Sequence, residues 1–506
     1  MSSIEKILLN SGPSLSTDLV NKLVDIHNLS PSTARKRVSR GCKGMNRLEG
    51  LPFPRNAKFI YLQKDYRSPF YWNALFQAFK GTNSVYWFAI SALLERGGII
   101  PYEHFLISCG SPRRQQKHVP PDKIIERLES HGILSQLVID GVGKCILLTR
   151  EEERINEMIS DLRARLVTER ILLKAIAGWI KNLGLVSYHL LKDRDSQELP
   201  TVSTTVWDLA GPSYLSPLIQ VSNNGAVKQG FWACDILLGK EISEDGLQPF
   251  IKKCIALRSL KNVGKCMQMF VADKYQLEAF NLAKTSGIIP ATPESLFGLE
   301  VAEGLKNLLK TLQNVAVNIK VEPEKINTIF DQLGKIEGAS GNLRGAFFEY
   351  LAARIIEKAY NTERIILNKI CKTLDGSKAE SDVIVELKDG KILFIECKGH
   401  QPLGIVEHDE VERWIHKRVP ILRKYALEHT EWKSKLLCFA LWTTGKFSDQ
   451  SLGLLKTTSE NTNKYKLTYL DALQVRDLIS SCNDKDILKT YQKHFYEHPL
   501  SKLDRG

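Results

Sequence analysis

The sequence predicts a multidomain α/β protein. Its 506 residues are enough for about three domains of ordinary size. Hydrophobic residues make up 43% of the chain and charged residues 25%, close to the average of globular proteins, which excludes disordered, collagen-like and coiled-coil architectures. From Ile171 onwards, short β-branched runs alternate with helical patterns, as expected for α/β sheets.

The distribution of apolar residues and of cysteines further limits the class of protein. No stretch approaches 18 uncharged apolar residues, and the first ten residues carry Glu5 and Lys6. We therefore expect no membrane association and a cytoplasmic location. The ten cysteines never form a Cys-x-x-Cys pair, which argues against zinc knuckles, and a chain of this size needs no disulfide framework.

The positive charge is concentrated near the N-terminus. The net charge is +13, and residues 1–150 hold 21 Lys and Arg against 11 Asp and Glu, a local balance of +10. A basic surface in one terminal domain is typical of proteins that contact nucleic-acid phosphates. A solvated basic face without a partner is the alternative that charge alone leaves open.

The N-terminal pattern predicts a helix-turn-helix. Ser30 and Pro31 provide an N-cap and a first-turn proline for a helix over 32–40, directly after another amphipathic helix. A strand over 58–62 would make the unit a winged helix, which predicts a DNA-binding domain over 1–70. The residues expected to contact DNA are the basic residues of the second helix, Arg35, Lys36, Arg37 and Arg40.

The next two segments are predicted to be further domains. Residues 71–150 repeat the pattern loosely, so we predict a second winged-helix domain, a module that also serves in protein docking. Residues 151–334 are predicted to form a helical linker, starting with a charged helix over 151–170, and an α/β domain. Asp208 and Asp235 end or interrupt apolar strands there, but no Glu-x-Lys pair accompanies them, and we predict a structural role for both.

The most informative stretch runs from 341 to 400. A largely apolar helix contains Glu349, and a buried carboxylate is unfavourable unless it has a partner or a metal. Two β-branched runs follow, joined by Asp389 and Gly390, which is the signal of a β-hairpin. On the second strand Glu396 and Lys398 are two residues apart and project from the same face.

The length of the hairpin turn decides whether Asp382 belongs to the same site. A two-residue turn would place Asp382 on the face opposite to Glu396, whereas a three-residue turn with a left-handed glycine pairs the two acids. If the acids share a site, the turn should be the longer kind, or a bulge should lie nearer Asp382. Adjacent carboxylates repel each other, and Mg²⁺ bound through carboxylates, water and substrate phosphate would resolve the conflict. Lys398 could then orient the attacking water or stabilise the transition state.

These residues resemble the PD-(D/E)xK superfamily of restriction-endonuclease-like nucleases. Glu349 on a helix, Asp382 on one strand and the run Glu396-Cys397-Lys398 on the next are similar to that family's acid, acid and Glu-x-Lys signature, although Ser381 stands in place of the proline. The resemblance covers a C-terminal domain over 335–506 with the family's αβββαβ core. It implies that Asp382 and Glu396 are metal ligands, that Glu349 is a ligand directly or through water, and that Lys398 is the catalytic lysine.

The expected fold class is therefore tandem N-terminal winged-helix (α+β) domains, a middle α/β domain whose element order is similar to a nuclease-like fold without its catalytic residues, and a C-terminal restriction-endonuclease-like domain. The resemblance implies a metal-dependent DNA endonuclease that uses Mg²⁺, with Mn²⁺ as a substitute. A role in restriction or defence against foreign DNA rests on fold-level analogy.

Double-stranded DNA is the expected partner, with RNA as an alternative substrate. Because cutting both strands needs two active sites, we expect a homodimer. An activating partner protein is a further possibility. Two alternative functions are a structure-specific nuclease of repair or recombination, similar to a junction resolvase, and a DNA-binding regulator in which the nuclease fold is a scaffold.

Overall fold

The computed structural model describes residues 2–139, 141–221, 227–317, 323–333 and 339–497. It is a mixed α/β structure that divides into two units. The first holds the described residues of Met1–Val138, Lys144–Met158 and Gly184–Ala291, and the second those of Ile139–Gly143, Ile159–Leu183 and Thr292–Gly506. The predicted domain boundary between 334 and 335 lies outside the described residues. None of the described helices combines the length and the apolar character that crossing a membrane requires.

The first unit opens with three helices and a small sheet. The elements are α1 (Ser3–Ser11), β1 (Ser14–Leu15), α2 (Ser16–His27), α3 (Pro31–Arg40), β2 (Met45–Leu48) and β3 (Phe59–Leu62), and the strands pair in the order β1-β3-β2. The hydroxyl of Ser30 accepts a hydrogen bond from the N–H of Thr33 and so caps α3, and Pro31 occupies its first turn. Ala34 and Val38 bury one face of α3 in a small apolar core.

The following segment repeats this order around an aromatic-rich core. Its elements are α4 (Pro69–Gly81), α5 (Val85–Glu95), β4 (Ile99–Pro101), α6 (Tyr102–Ser108), α7 (Pro121–Ser130), β5 (Leu134–Ile139) and β6 (Gly143–Leu148). From α5 to β6 the sequence of elements is helix, strand, helix, helix, strand, strand, and the strands pair in the order β4-β6-β5. The topology therefore matches that of α1 to β3.

A long helix and a second sheet come next. Helix α8 (Ile155–Asn182) joins the predicted charged helix and the helical segment after it into one, with Leu172, Ile176 and Ile180 buried at helical spacing. The elements that follow are β7 (Lys192–Asp193), β8 (Thr201–Val202), β9 (Thr205–Val206), β10 (Leu209–Ser213), β11 (Gln220–Val221), β12 (Val227–Lys228), β13 (Gly230–Ile242), α9 (Glu244–Arg258), β14 (Cys266–Tyr275), α10 (Leu277–Thr285) and β15 (Ile289–Ala291). The main sheet has the order β15-β14-β13-β10-β7.

The second unit contains the C-terminal sheet. Its further elements are α11 (Pro293–Phe297), α12 (Leu299–Val317), α13 (Pro323–Leu333), α14 (Ala339–Ala359), β16 (Thr362–Lys372), β17 (Lys378–Leu387), β18 (Lys391–Lys398), β19 (Ile405–Val406), α15 (His408–Arg413), α16 (Val419–Glu428), β20 (Leu436–Thr443), β21 (Lys446–Phe447), α17 (Asp449–Asn461), β22 (Lys466–Leu470), α18 (Ala472–Ser481) and α19 (Lys485–Tyr491). The sheet order is β16-β17-β18-β20-β22, with the first three strands antiparallel and the last three parallel.

The β17–β18 hairpin has the longer of the two turns considered from the sequence. The N–H of Gly390 donates to the carbonyl of Leu387 at 3.0 Å, and Gly390 has a φ of +81°, a conformation that favours glycine. Val383 pairs with Ile395, the last pair of the ladder. Because the register continues by one residue, Asp382 lies opposite Glu396.

The helical segment between β19 and β20 is interrupted. A π-helical turn over Trp414–Arg418 separates α15 from α16, and the N–H of Val419 bonds to the Trp414 carbonyl five residues earlier. Pro420 follows immediately and has no N–H to continue the α-helical pattern. The π turn changes the direction in which Arg418 leaves the helix, and Arg418 contacts the site described below.

Candidate active site in the C-terminal sheet

The hairpin brings three of the predicted residues together. The N–H of Cys397 donates to Asp382 Oδ2 at 2.7 Å, which holds the Asp382 carboxylate beside the second strand. Lys398 Nζ lies 3.1 Å from Glu396 Oε1. Glu396 is 3% exposed, whereas Asp382 and Lys398 are half-buried. A pair of carboxylates and an ammonium group therefore share one face of the sheet.

Close packing of α14 on the sheet brings in Glu349. A β-carbon on Gly399 would lie 2.5 Å from the carbonyl oxygen of Arg344 and 2.8 Å from the Cα atom of Gly345. The backbones of the strand end and the helix therefore approach each other as closely as glycine allows. Glu349 lies about one helical turn beyond Gly345, and its carboxyl group is close enough to Asp382 to influence the pKa of that residue.

Three further residues of the site were not predicted from the sequence. Glu380 lies two residues before Asp382 on β17, so the same spacing rule that linked Glu396 to Lys398 could have identified it. Arg163 of α8 forms an ion pair with Glu380.

Asn368 is the third of these residues. It belongs to β16, lies opposite Asp382, has a φ of +51°, and hydrogen-bonds to Glu349. No local sequence signal connects Arg163 or Asn368 to the site.

Two residues of the helical segment after β18 complete the charged surroundings. Arg418 Nη1 lies 2.6 Å from Glu396 Oε1, and Glu410 Oε2 lies 3.7 Å from Lys398 Nζ. Glu396 Oε1 is thus shared by two cationic side chains. Trp414, in the same segment, is buried in the core of this sheet and does not face solvent.

The concentration of negative charge changes the acid–base properties of the site. Burial, followed by the charge of Glu380, raises the pKa of Glu349 to about 8, although Arg163 and Asn368 act in the opposite direction. Burial, then the charges of Glu396, Glu349 and Glu380, raise the pKa of Asp382 well above its usual range. Without a further cation, Glu349 therefore tends to hold its proton at neutral pH.

Lysine and cysteine respond differently in the same surroundings. Burial lowers the pKa of Lys398, but the nearby charges of Glu396 and Asp382 outweigh this effect, and its pKa is raised. Lys398 therefore stays a positively charged donor. Burial also raises the pKa of the Cys397 thiol well above its usual range, which makes it a poor nucleophile.

The site offers oxygen ligands but no complete metal cage. Among the residues that the structure describes, no three Asp, Glu, His or Cys side chains lie close enough together to hold an ion. Glu396 Oε2 is buried and has no hydrogen-bond partner within that part of the chain. Glu396 and Asp382 therefore suit an ion that takes one or two carboxylates and fills its remaining positions with water and phosphate, as Mg²⁺ does.

The predicted DNA-contacting residues lie in the first unit. Arg35, Lys36, Arg37 and Arg40 are all exposed on α3. The guanidinium of Arg47 on β2 donates to the carbonyl of Val38 at 3.0 Å, close to the C-terminal end of the helix. The exposed face of α3 is thus strongly basic, and its opposite face is fixed to the apolar core.

No protein-family model matches the sequence, and no curated protein matches it. Among solved structures, the chain is similar to a protein of unknown function designated AF1548, with 21% identity and a TM-score of 0.19. That match covers 24% of this chain and 56% of the AF1548 chain. The chain is also similar to the restriction endonuclease FokI, with 12% identity and a TM-score of 0.19, over 94% of this chain and 82% of that chain.

The arrangement has a definite chemical capacity. Two opposed carboxylates can hold a divalent cation, and a charged lysine two residues away can donate hydrogen bonds to a phosphate or to a water molecule. A third carboxylate, Glu349, reaches the same face from α14. Asp382, Glu396 and Lys398 therefore lie together on one face of the sheet, and Glu349 is close enough to influence the pKa of Asp382. Asn368 hydrogen-bonds to Glu349, and Arg163 pairs with Glu380.

Proposed function

We propose that the protein is a metal-dependent endonuclease that hydrolyses phosphodiester bonds in double-stranded DNA. The observation that carries the proposal is the position of Asp382 opposite Glu396, with Lys398 on the same face and Glu349 approaching from α14. This is the set of groups that metal-assisted phosphodiester hydrolysis needs. The order of α14, β16, β17, β18, the helical segment and β20 supports a restriction-endonuclease-like domain.

Each residue has a proposed task. Asp382 and Glu396 would hold Mg²⁺ or Mn²⁺, and Glu349 would bind the same ion directly or through water. When bound, the cation lowers the pKa of a coordinated water and stabilises negative charge on the phosphate. The Lys398 ammonium orients the attacking water or donates a hydrogen bond to the developing charge. Asn368 holds the Glu349 carboxylate, and Arg163 offsets the charge of Glu380.

We propose that the first unit binds the DNA. A basic helix exposed on one face, preceded by a capped turn and followed by a two-stranded wing, supports a winged helix whose recognition helix is α3. Arg35, Lys36, Arg37 and Arg40 would contact phosphates or base edges. Because one site cuts one strand, double-strand cleavage would be carried out by a homodimer. A role in restriction or defence is the corresponding biological proposal, by analogy of fold.

A plasmid-cleavage assay tests the enzyme. Supercoiled plasmid is incubated with the wild-type chain in Mg²⁺, and separately with excess EDTA. Glu396→Gln and Lys398→Met are compared with Lys391→Met, which removes a lysine from the opposite end of β18. We expect cleavage to require the metal, and the two site variants to lose about 100-fold or more in rate. Lys391→Met should cut normally, and full activity in Lys398→Met would contradict the proposed mechanism.

One observation favours a second candidate. Glu396 Oε1 contacts both Lys398 and Arg418, so the carboxylate is already neutralised within the chain, as in a scaffold that serves a DNA-binding regulator. In that case the wild-type chain would bind DNA and would not cleave it in Mg²⁺ or Mn²⁺. Equal cleavage of linear and four-way-junction DNA would separate the proposed enzyme from a junction-specific nuclease, which would cut the junction faster.

A further inference from the structure

The main sheets of the two units have the same plan. In each, three antiparallel strands follow in sequence order, and two more strands are added in parallel beyond the third. Strands β7, β10, β13, β14 and β15 correspond to β16, β17, β18, β20 and β22. In both sheets a helical segment connects the third strand to the fourth, namely α9 in the first unit and α15 with α16 in the second.

The acidic residues of the two sheets occupy corresponding positions. The last pair of the β10–β13 ladder is Leu209 and Cys234, and the next pair in the same register is Asp208 and Asp235. The β17–β18 ladder ends one residue before Asp382 and Glu396 in the same way. Two pairs of carboxylates therefore lie at the same point of two sheets with the same topology.

The same backbone hydrogen bond fixes both pairs. In the second unit, the N–H that follows Glu396 donates to Asp382 Oδ2 at 2.7 Å. In the first unit, the N–H that follows Asp235 donates to Asp208 Oδ2 at 2.9 Å. Strand order, register and hydrogen bonding thus agree independently on the correspondence.

A lysine side chain contacts the acid pair of the first unit, Asp208 and Asp235. Lys253 of α9 contacts Asp235 Oδ2 through its ammonium group, and the same Nζ atom lies 3.0 Å from the carbonyl oxygens of Ile107 and Val206. Lys253 is 1% exposed. One carboxylate and two carbonyl oxygens therefore surround its positive charge.

An arginine balances the other acid. Arg194 Nη1 lies 3.1 Å from Asp208 Oδ1, and both side chains are buried. Arg194 follows β7 opposite Asp208, the position that Asn368 holds opposite Asp382 in the other sheet. The residue that corresponds to Lys398, two positions after the second acid, is the buried Leu237.

We infer that Asp208 and Asp235 form a second metal site of the same design, in which the ammonium group of Lys253 takes the place of the divalent cation. This inference rests on the proposed function, because Asp208 and Asp235 are interpreted as a metal site only if Asp382 and Glu396 bind a metal. The oxygens around Lys253 Nζ are of the type that Mg²⁺ and Mn²⁺ bind. Removing the lysine side chain should open the site to such an ion, and without a counterpart of Lys398 it should not create a second centre of cleavage.

The test uses the full-length chain with Asp382→Asn and Glu396→Gln, so that the C-terminal pair cannot bind metal. In this background, Lys253→Ala is compared with the parent and with Lys252→Ala, which removes the neighbouring lysine of α9 and leaves the acid pair intact. Mn²⁺ binding is measured by equilibrium dialysis, and thermal unfolding is followed with and without Mn²⁺. We expect Lys253→Ala to bind one Mn²⁺ and to gain about 3–5 °C in Tm at tenfold excess over its Kd.

Two results would overturn the inference. The first is stoichiometric Mn²⁺ binding by the parent or by Lys252→Ala, because Lys253 would then not exclude a cation. The second is the absence of any Mn²⁺ effect on Lys253→Ala. If this variant is unfolded without metal, Mn²⁺ must restore its folded circular-dichroism spectrum, and Lys253→Ala combined with Asp235→Asn must not respond. None of these measurements depends on DNA cleavage. Failure of the proposed function would be seen separately: Glu396→Gln, introduced into the wild-type chain, would leave Mn²⁺ binding unchanged.

Discussion

Asn368 combines backbone strain with a contact to the site. Its φ of +51° is unusual for a residue inside a strand, and its side chain hydrogen-bonds to Glu349. Asn368→Ala and Asn368→Gly both remove the amide, so both should cut DNA more slowly. Because alanine disfavours the left-handed conformation, Asn368→Ala should also be less stable than Asn368→Gly by about 1 kcal/mol or more. Urea unfolding measures the difference, and equal stabilities would argue against the left-handed conformation of Asn368.

Arg163 is the second residue whose role can be isolated. It pairs with the buried Glu380, so Arg163→Met would remove a cationic partner from a buried carboxylate. We expect a loss of about 3 kcal/mol in the free energy of unfolding. The combination of Arg163→Met with Glu380→Gln should recover part of this loss, because the uncompensated charge is removed.

Arg154→Met is the matched control for Arg163. The Arg154–Glu157 pair is exposed, with side-chain exposures of 68% and 70%, and its removal should cost roughly 0.5 kcal/mol or less. Chemical unfolding of the three variants gives the comparison. If Arg163→Met proved as stable as Arg154→Met, the buried pair would not contribute to the fold as described.

The residues that could be predicted from the sequence are those with a short-range signature. Glu396, Lys398 and the hairpin turn follow from alternation and from Asp-Gly, and Glu380 could have been found by the same spacing rule. Asn368 and Arg163 could not, because their relation to the site depends on strand pairing and helix packing over long sequence separations. Site residues that come from other elements need the fold before they can be recognised.

The contact between helix α14 and the end of strand β18 determines where Glu349 lies. A β-carbon on Gly399 would meet the backbone of Arg344 and Gly345. Gly399→Ala should therefore push the helix away, lower stability by about 1–3 kcal/mol and reduce cleavage further than the stability loss explains. Cleavage rates and urea unfolding, both measured below the melting temperature, provide the test.

Gly453→Ala is a control for which we expect stability to increase rather than decrease. Gly453 lies inside α17, and a β-carbon there would meet no described atom within 4 Å. Gly453→Ala should therefore stabilise the protein by about 0.5–1 kcal/mol and leave cleavage unchanged. Normal cleavage by Gly399→Ala would show that the close approach of α14 is not needed to position Glu349.

Element types were easier to predict than their details. The hairpin was expected from its β-branched runs, but the sequence allowed two registers, and the structure adopts the one that opposes Asp382 and Glu396. The αβββαβ order implied one helical segment after β18, and the structure divides that segment into α15, a π turn and α16. The π turn arises where hydrogen-bond geometry, rather than hydrophobic pattern, determines the backbone, and it places Arg418 beside Glu396.

The uneven distribution of charge along the chain makes the proposed DNA binding measurable through its salt dependence. The chain carries +13, of which residues 1–150 supply +10, and α3 exposes four cationic side chains. If these side chains contact phosphates, each should release about 0.9 of a counterion from B-DNA. The quadruple alanine variant of Arg35, Lys36, Arg37 and Arg40 should therefore bind duplex DNA more weakly and flatten the dependence of log K on log salt by about 3–4.

A charge-matched variant separates this local effect from net charge. Replacing four exposed lysines elsewhere with alanine removes the same total charge, and suitable positions are Lys261, Lys274, Lys306 and Lys310. Fluorescence anisotropy with a labelled duplex, at several salt concentrations and in EDTA to prevent cleavage, gives the slopes. The control should change the slope by less than one unit, since non-contacting charges act through a screened potential. Equal slopes for both quadruple variants would mean that α3 is not the DNA-binding helix and that the affinity arises from the overall charge.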